Sequence, residues 1–317
     1  MQVVQVLLQL VLLVVGFVML VKGADLFVDG ASKVAERFGI PQLVIGLTIV
    51  AMGTSLPEAA VSTSAALKGS AEITIGNVVG SNIMNILLIL GITSVISPLA
   101  VQMSTIKYEI PMVIGASVLL AFLGLYDGTV ARLDGIILLV GMVCYLLYLL
   151  KMTKNEQQTA EAEDKENEKK DSIALLLLFI VVGGIMIVWG SDITVDAASI
   201  LAAMFGMDER IIGLTIVAFG TSLPELVTSA TAAIKGKADI AVGNIVGSNL
   251  FNILFVVGIA GVITPVIYES KFMVDTIVCI ATAVLLWLCV IRTKKLKRHG
   301  GVILLICYAA YFVYLIR

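Results

Sequence analysis

The sequence predicts an all-α polytopic membrane protein whose ten transmembrane helices form two inverted five-helix repeats. Three observations lead to this fold class. Of the 317 residues, 59% are hydrophobic and only 14% are charged, and the mean hydropathy of +1.06 is far above that of a water-soluble globule. Apolar runs of about 20 residues recur without period-two alternation, which favours membrane-spanning helices over an outer-membrane barrel. The two halves of the chain also share one sequence pattern.

The apolar runs, divided by charged residues, glycine and proline, predict the individual spans. In the first half they cover about residues 3–30, 41–67, 73–97, 110–126 and 133–150. In the second half they cover about residues 173–200, 211–234, 240–264, 273–291 and 301–316. Residues 151–172 are rich in Glu, Lys, Gln and Asn, a composition typical of a solvated linker. The expected domains are a first repeat in residues 1–150, the linker in 151–172 and a second, inverted repeat in 173–317.

The distribution of lysine and arginine predicts the orientation. If the amino terminus lies outside, the inner loops contain Lys33, Arg37, Lys235, Lys237 and the basic segment 292–298, whereas few basic residues remain outside. Because cytoplasmic loops carry the excess of basic residues, both termini are expected outside a plasma membrane and the linker inside. The lipid bilayer is the expected surrounding; the net charge of -2 gives no indication of nucleic acid, and no obligatory protein partner is evident.

The internal repeat is detectable by direct superposition of the sequence on itself. A shift of 167 positions aligns residues 22–99 with residues 189–266 without a gap, with 43 identities in 78 pairs. Because an odd number of spans separates the copies, equivalent helices are expected to cross the membrane in opposite directions. That arrangement is typical of secondary transporters, in which broken helices from both repeats meet near the midplane and bind the substrate there.

Each repeat contains the sequence Gly-Thr-Ser-Leu-Pro-Glu, at residues 53–58 and 220–225. Glu58 and Glu225 fall near the middle of their apolar runs, where a carboxylate costs about 2.5–3.5 kcal/mol on insertion scales. No basic residue is expected near mid-membrane. A mobile cation is therefore the favoured partner for the two carboxylates, and a protonated glutamate bonded to a neighbouring helix is the structural alternative.

The proline before each glutamate predicts a break in the helix. Pro57 and Pro224 are expected to release backbone carbonyls around residues 51–54 and 218–221 from the helical hydrogen bonds. The hydroxyls in the same turns belong to Thr54, Ser55, Thr221 and Ser222. Carbonyl, hydroxyl and carboxylate oxygens together are the ligands that Ca2+ and Na+ prefer, and the lack of imidazole or thiolate disfavours a transition metal. Hydrogen bonding of the hydroxyls within their own helix is the alternative.

A second repeated motif, Gly-Asn-x-Val-Gly-Ser-Asn-x-x-Asn, occupies residues 76–85 and 243–252. Within each copy the serine and the last asparagine are four residues apart and share one helical face. These pairs are Ser81 with Asn85 and Ser248 with Asn252. Each repeat can thus direct a hydroxyl and an amide at one cavity, with hydrogen bonding between helices as the alternative.

The paired motifs resemble the alpha repeats of the sodium/calcium exchanger family within the Ca2+/cation antiporter superfamily. The resemblance covers essentially the whole chain and is to the prokaryotic type, without a large cytoplasmic calcium-sensing domain. It implies a secondary active antiporter that exchanges Na+ for Ca2+ across the membrane by alternating access, with these transported ions and no cofactor. It also implies a binding core of the second, third, seventh and eighth spans, across which the first and sixth slide.

The resemblance further implies a set of metal ligands. Glu58 and Glu225 would be the shared carboxylates, assisted by the backbone carbonyls of Ala51 and Ala218. The remaining implied ligands are Thr54, Ser55, Ser81, Asn85, Thr221, Ser222, Ser248 and Asn252. Asn252 stands where potassium-dependent relatives carry aspartate, which argues against potassium co-transport and leaves two central carboxylates.

Other functions remain open at this point. A Ca2+/H+ antiporter would use the same two glutamates, whereas a selective channel would not need inverted repeats. An enzyme is not expected, because the only histidine, His299, lies in a basic loop and cannot form a Ser-His or Cys-His pair inside the membrane. The recurring aspartates are Asp25, Asp29, Asp192 and Asp196. We expect them to face water at the membrane interface, although an intramembrane aspartyl hydrolase built on Asp25 and Asp192 remains an alternative.

Overall fold

The computed structural model describes residues 2–68, 72–160, 172–206, 218–269 and 271–316. The helices in the first half are α1 (Gln2–Phe38), α2 (Gln42–Thr54), α3 (Leu56–Leu67), α4 (residues 72–96), α5 (Thr105–Asp127) and α6 (Arg132–Ala160). Those in the second half are α7 (Ile173–Met204), α8 (Ala218–Thr221), α9 (Leu223–Ile234), α10 (Ala238–Ile263), α11 (Lys271–Ile291) and α12 (Arg298–Ile316). Residues 161–171, half of the predicted linker, and residues 211–217, the start of the predicted seventh span, lie outside the described residues.

Most of these helices have the length and composition of membrane spans. Among the described residues, 8 helices are long and apolar enough to cross a membrane, or 9 if the bent pair α2–α3 counts as one span. The apolar helix α9 is shorter, at 12 residues. The structure thus confirms the predicted helical, polytopic membrane fold, while the total of ten spans stays a prediction. Helix α6 continues past the predicted fifth span to Ala160, through the first ten residues of the predicted linker.

The helices differ in which environment they face. Most of α4 and α10 is buried inside the bundle, whereas α1, α7 and α12 expose much of their apolar surface. Val4 on α1 is 71% exposed and Trp189 on α7 is 62% exposed. Apolar side chains on the outside of a membrane bundle contact lipid at no hydrophobic cost. The motif-bearing helix α4 and its counterpart α10 therefore form the centre, and α1 and α7 lie at its edge.

The helices α1 and α7 pack against each other with almost no space between their backbones. A Cβ atom added at Gly16 would lie 2.9 Å from the carbonyl oxygen of Gly190, and one added at Gly23 would lie 2.9 Å from that of Gly183. Distances this short leave no room for a side chain, so glycine is required at these positions. Because the contacts run in opposite sequence directions, α1 and α7 are antiparallel.

The helical conformation is interrupted between α2 and α3 and again between α8 and α9. The axes of α2 and α3 differ by 49°. Ser55 at the first break has φ -86° and ψ 8°, and Ser222 at the second has φ -94° and ψ 4°. Pro57 and Pro224 follow in the first turn of the next helix, where the missing N–H of proline is tolerated. The predicted interruption is therefore present in both copies of the motif.

Two short antiparallel strand pairs connect the two halves of the chain. Strand β1 (Leu99–Ala100) pairs with β4 (Lys295–Leu296), and β2 (Thr129–Val130) pairs with β3 (Val266–Ile267). The sequence prediction contains no strand, and these pairs of two residues are too short to show an alternating pattern. Each pair joins a loop of the first half to a loop of the second, which fixes the ends of α4 and α10 relative to α12 and α6.

Candidate cation-binding site

The two motif glutamates lie inside the bundle, directly after the helix breaks. Glu58 is in the first turn of α3 and Glu225 is in the first turn of α9. Both residues have an exposed fraction of 0%. The positive end of a helix dipole favours a carboxylate in the first turn, which offsets part of the cost of burying it. The break thus creates the helix start that accommodates each acid.

Hydrogen bonds cross between the two motifs. Ser55 at the first break donates through Oγ to Oε1 of Glu225 at 2.8 Å. Ser222 at the second break donates to Oε1 of Glu58 at 3.3 Å. Because each serine bonds the glutamate of the other repeat, the four side chains belong to one site. The structure therefore brings together residues that are about half the chain length apart in sequence.

Asparagines from α4 and α10 hold the backbone of the glutamate helices. Asn77 donates through Nδ2 to the hydroxyl of Ser62 at 2.9 Å and to the carbonyl oxygen of Glu58 at 3.3 Å. The counterparts 167 positions later make the same contacts, at 2.9 Å and 3.4 Å; they are Asn244, Ser229 and Glu225. The sequence reasoning missed these residues as parts of the site, although both asparagines stand inside the repeated Gly-Asn motif.

Four further asparagines form a network where α4 crosses α10. Asn82 donates through Nδ2 to the carbonyl oxygen of Asn249 at 3.1 Å, and Asn249 donates through Nδ2 to that of Asn82 at 3.3 Å. Asn85 donates to Oδ1 of Asn249 at 3.0 Å, and Asn252 donates to Oδ1 of Asn82 at 3.2 Å. All four residues are completely buried. The network therefore links the predicted ligands Asn85 and Asn252 to the opposite repeat.

The site contains buried oxygen atoms without a hydrogen-bond partner. Both glutamates leave Oε2 without a partner, and both of the last motif asparagines leave Oδ1 without one; the residues are Glu58, Glu225, Asn85 and Asn252. A buried oxygen acceptor without a donor carries a desolvation cost of about 1–3 kcal/mol, and more when it is charged. Two carboxylate and two amide oxygens are left in this way, as matched pairs from the two repeats. They are available for a cation.

The electrostatic surroundings of the site also fit a cation. Of the described residues, no lysine, arginine or histidine forms an ion pair with Glu58 or Glu225, as the ion pairs all involve other acids. The described part of the chain has no group of three histidine, cysteine, aspartate or glutamate side chains that could hold a metal. With only two carboxylates, hydroxyl and amide oxygens must complete the coordination, which suits Ca2+ or Na+ better than a transition metal.

The other predicted ligands surround these atoms. Thr54 is buried and donates to Oδ1 of Asn244 at 3.0 Å. Ser248 donates to the carbonyl oxygen of Ala51 at 3.4 Å, and Ser81 is 5% exposed. Thr221 is partly buried at the end of α8. Ala218 opens α8, and its side chain lies outside the described residues.

Within the predicted range 51–54, the expected release of a backbone carbonyl is wrong for Ala51. This oxygen accepts the backbone N–H of Ser55 at 3.0 Å. The N–H that Pro57 lacks would have bonded the residue four positions earlier, which is Gly53. The break therefore deprives the carbonyl of Gly53 of its helical donor and leaves Ala51 bonded.

The aspartates of α1 take part in ion pairs. Lys235, which follows α9, lies 3.2 Å from a carboxylate oxygen of Asp25 and 2.9 Å from one of Asp29. The carboxylates are 36% and 49% exposed. This agrees with the expected role at the water interface, and it connects the second half of α1 to the loop after α9.

The alternative of an aspartyl hydrolase is wrong on geometric grounds. On the α1–α7 pair, Gly16 lies opposite Gly190 and Gly23 lies opposite Gly183. Asp25 and Asp192 each lie two residues beyond one of these contacts. At 1.5 Å per residue they are separated by roughly 16 Å along the helix pair, so they cannot share a proton or a substrate water.

These features define a multi-pass membrane protein with a buried, oxygen-lined site built from two motifs, each present in two copies. The chain belongs to the sodium/calcium exchanger protein family, whose model matches residues 8–151 and 175–317. The matched segments include both broken helices and both asparagine motifs.

Individual relatives agree with this membership. The inner membrane protein YrbG of Escherichia coli (strain K12) is 38% identical, with 94% of each chain covered. The sodium/calcium exchanger MaX1 of Methanosarcina acetivorans is 31% identical over 90% of this chain and 92% of its own. A solved structure of the sodium-calcium exchanger NCX_Mj, soaked with 2.5 mM Na+ and 10 mM Sr2+, matches with a TM-score of 0.84 and 32% identity over 97% of this chain and 99% of that chain. The family and these relatives support antiport of Ca2+ against another cation, and none of the three is named as an enzyme.

Proposed function

We propose that this protein is a secondary active antiporter that exchanges Na+ for Ca2+ by alternating access. One observation carries the proposal: two carboxylate and two amide oxygens are completely buried, make no hydrogen bond and come in matched pairs from the two repeats. A cation is the partner that removes the cost of this arrangement. The proposed ligands are Glu58, Glu225, Thr54, Ser55, Thr221, Ser222, Ser81, Ser248, Asn85, Asn252 and the carbonyls of Ala51 and Ala218. The Ala51 carbonyl would coordinate through the lone pair that its helical hydrogen bond does not use.

The charge of the site explains exchange in place of leak. Glu58 and Glu225, when ionised, give the empty site two negative charges with no ion-paired base among the described residues. Moving such a site past an apolar gate is costly. One Ca2+, or several Na+, neutralises it and permits the change of access. The two ions therefore compete for overlapping oxygens, and each is released when the other replaces it.

The contacts between α1 and α7 support a moving pair of helices. Glycine packing joins these helices closely to each other, and apolar cavities of about 500 Å³ and about 400 Å³ flank them. The larger cavity is bordered by Phe17 and Leu223, and the smaller by Phe27, Gly53 and Leu56. Because the cavities lie beside the two helix breaks, a shift of α1–α7 as one unit would open one side of the site and close the other.

The topology belongs to the same proposal. Ten spans would form two inverted repeats in residues 1–150 and 173–317, joined by a cytoplasmic linker in 151–172. Both termini would face the outside of a plasma membrane, as the distribution of basic residues predicts. The reciprocal Ser55–Glu225 and Ser222–Glu58 bonds support a twofold relation between the repeats.

Transport in liposomes tests the proposal. The purified protein is reconstituted in vesicles loaded with Na+, with K+ or at acid pH, and uptake of 45Ca2+ is followed. We expect uptake only with the outward Na+ gradient, and none by Glu225→Gln at equal reconstitution. Uptake that follows the pH gradient and ignores Na+ would instead identify a Ca2+/H+ antiporter. Single-channel currents would identify a channel and contradict alternating access.

A further inference from the structure

The asparagine network assigns a role to two residues that precede the proposed ligands. We propose that Asn82 and Asn249 are positioning residues that turn the amides of Asn252 and Asn85 so that their oxygens face the cation. The proposal rests on the proposed function of the site, because it concerns ligands of the transported ion. It adds that each repeat orients the amide ligand of the other.

The orientation of Asn82 follows from a backbone atom. The carbonyl oxygen of Asn249 can only accept a hydrogen bond, so the atom of Asn82 that lies 3.1 Å from it must be the Nδ2 amide. Oδ1 of Asn82 must then point the other way. There it meets Asn252 at 3.2 Å, and because Oδ1 only accepts, the atom of Asn252 must be Nδ2. The oxygen of Asn252 is thereby directed away from the network, and it has no other partner.

The orientations of Asn249 and Asn85 are fixed in the same way. The carbonyl oxygen of Asn82 fixes Nδ2 of Asn249 at 3.3 Å. Oδ1 of Asn249 then accepts from Nδ2 of Asn85 at 3.0 Å, and Oδ1 of Asn85 is left without a partner. Two backbone carbonyls therefore determine the orientation of four side chains. Either orientation of an isolated amide would fit the same volume, but only one presents an oxygen to a cation.

The network also explains why positions 82 and 249 need a carboxamide. A side chain at position 82 must donate to the backbone and accept from Asn252 at the same time. Leucine has a similar volume and can do neither, so in Asn82→Leu the amide of Asn252 loses its acceptor and can rotate. In the rotated state the NH2 group would face the cation and repel it. The effect should appear in cation affinity and should involve Asn252 but not Asn85.

Double-mutant cycles test whether Asn82 acts through Asn252 of the other repeat. The apparent KM for Ca2+ is measured from Na+-driven 45Ca2+ uptake for Asn82→Leu alone and together with Asn252→Ala or Asn85→Ala. We expect Asn82→Leu alone to raise KM roughly 5- to 100-fold. In the Asn252→Ala background, Asn82→Leu should cause no further rise in KM. In the Asn85→Ala background, it should raise KM by the same factor as in the wild type. Purely structural packing between α4 and α10 would lower the maximal rate or the yield equally in both backgrounds.

The twofold relation supplies an independent second variant. Asn249→Leu should show the opposite pattern, with coupling to Asn85→Ala and none to Asn252→Ala. A matched control is Ser117→Ala, which removes a buried hydroxyl bonded to Val113 of its own helix at 2.8 Å and should leave KM unchanged. If one leucine variant is not recovered as a monodisperse protein, the other provides the cycle.

The outcomes separate the two proposals. Additive effects of Asn82→Leu with both partners, or an unchanged KM, would overturn the positioning role while wild-type transport leaves the proposed function intact. The shift of the melting temperature of the detergent-purified protein with added Ca2+ gives a second readout of the same affinities without transport. If the wild-type protein neither transports Ca2+ nor is stabilised by it, the proposed function fails and the positioning role fails with it.

Discussion

The substitution Glu58→Gln isolates the contribution of one negative charge to the site. Glu58 is completely buried, and its Oε1 accepts a hydrogen bond from Ser222 at 3.3 Å. Glutamine has nearly the same shape and can still accept that bond through its own oxygen. The change therefore removes the charge and replaces the unpartnered Oε2 by an NH2 group that faces the cation.

The magnitude follows from the burial of the carboxylate. Truncating one partner of a buried, hydrogen-bonded charge pair costs about 2–5 kcal/mol. This corresponds to a loss in Ca2+ affinity of roughly 30-fold to several thousand-fold. We expect the KM for Ca2+ of Glu58→Gln to rise by at least about 30-fold, with the remaining carboxylate unable to balance a divalent ion alone.

The assay is 45Ca2+ uptake into Na+-loaded proteoliposomes over a range of Ca2+ concentrations. Glu109→Gln is a matched control, because Glu109 is also completely buried in a membrane helix but bonds Tyr148 outside the site. We expect its KM to stay close to that of the wild type. A wild-type KM for Glu58→Gln at equal reconstitution would refute the assignment. An equal rise of KM in Glu58→Gln and Glu109→Gln would show that uptake responds to the loss of any buried carboxylate.

Three further variants test neighbouring parts of the structure. Asn252→Asp places a third carboxylate at the site and should alter the dependence of Ca2+ uptake on Na+, K+ and pH; unchanged selectivity would show that this position does not discriminate. Gly183→Ala puts a Cβ 2.7 Å from the carbonyl of Gly23 and should reduce uptake or lower the free energy of unfolding by about 1–3 kcal/mol; Gly184→Ala, which meets only an aromatic ring at 3.8 Å, should not. Lys235→Met removes the partly exposed ion pairs with Asp25 and Asp29. Thermal unfolding should show that the free energy of unfolding falls by less than about 1 kcal/mol. A larger decrease would mean that these ion pairs hold α1 in place.

The sequence was sufficient to predict the features that depend on local composition. Apolar runs identify helices because each helix satisfies its own hydrogen bonds in lipid, and a proline within such a run identifies a break. Glu58 and Glu225 stand out because a carboxylate in an apolar run needs a partner. The presence of the same motif in both repeats indicates that the two glutamates have the same role. These predictions concern single segments, which is why the structure confirms the helical membrane fold.

The contacts between segments could not be predicted in the same way. Ser55 bonds Glu225 and Asn82 bonds Asn249, but sequence spacing gives neither the rotation of a helix about its axis nor its depth in the bundle. Asn77 stands in the repeated motif, but the spacing of the motif does not indicate its bonds to Ser62 and to the backbone of Glu58. The strand pairs are too short for any periodic signal. The crossed bonds between the repeats are therefore the main contribution of the structure.

The most direct test of a cation bound between the repeats is a crystal structure with Sr2+, located by its anomalous scattering. We predict one strong peak between Glu58 and Glu225, with the unpartnered Oε2 atoms at or just beyond the upper end of the range of about 2.3–2.6 Å for Ca2+–oxygen bonds, because Sr2+ is the larger ion. Asn85 and Asn252 should turn their oxygens toward the same peak. No peak at this position in crystals saturated with Sr2+, or peaks only elsewhere in the bundle, would contradict the central claim.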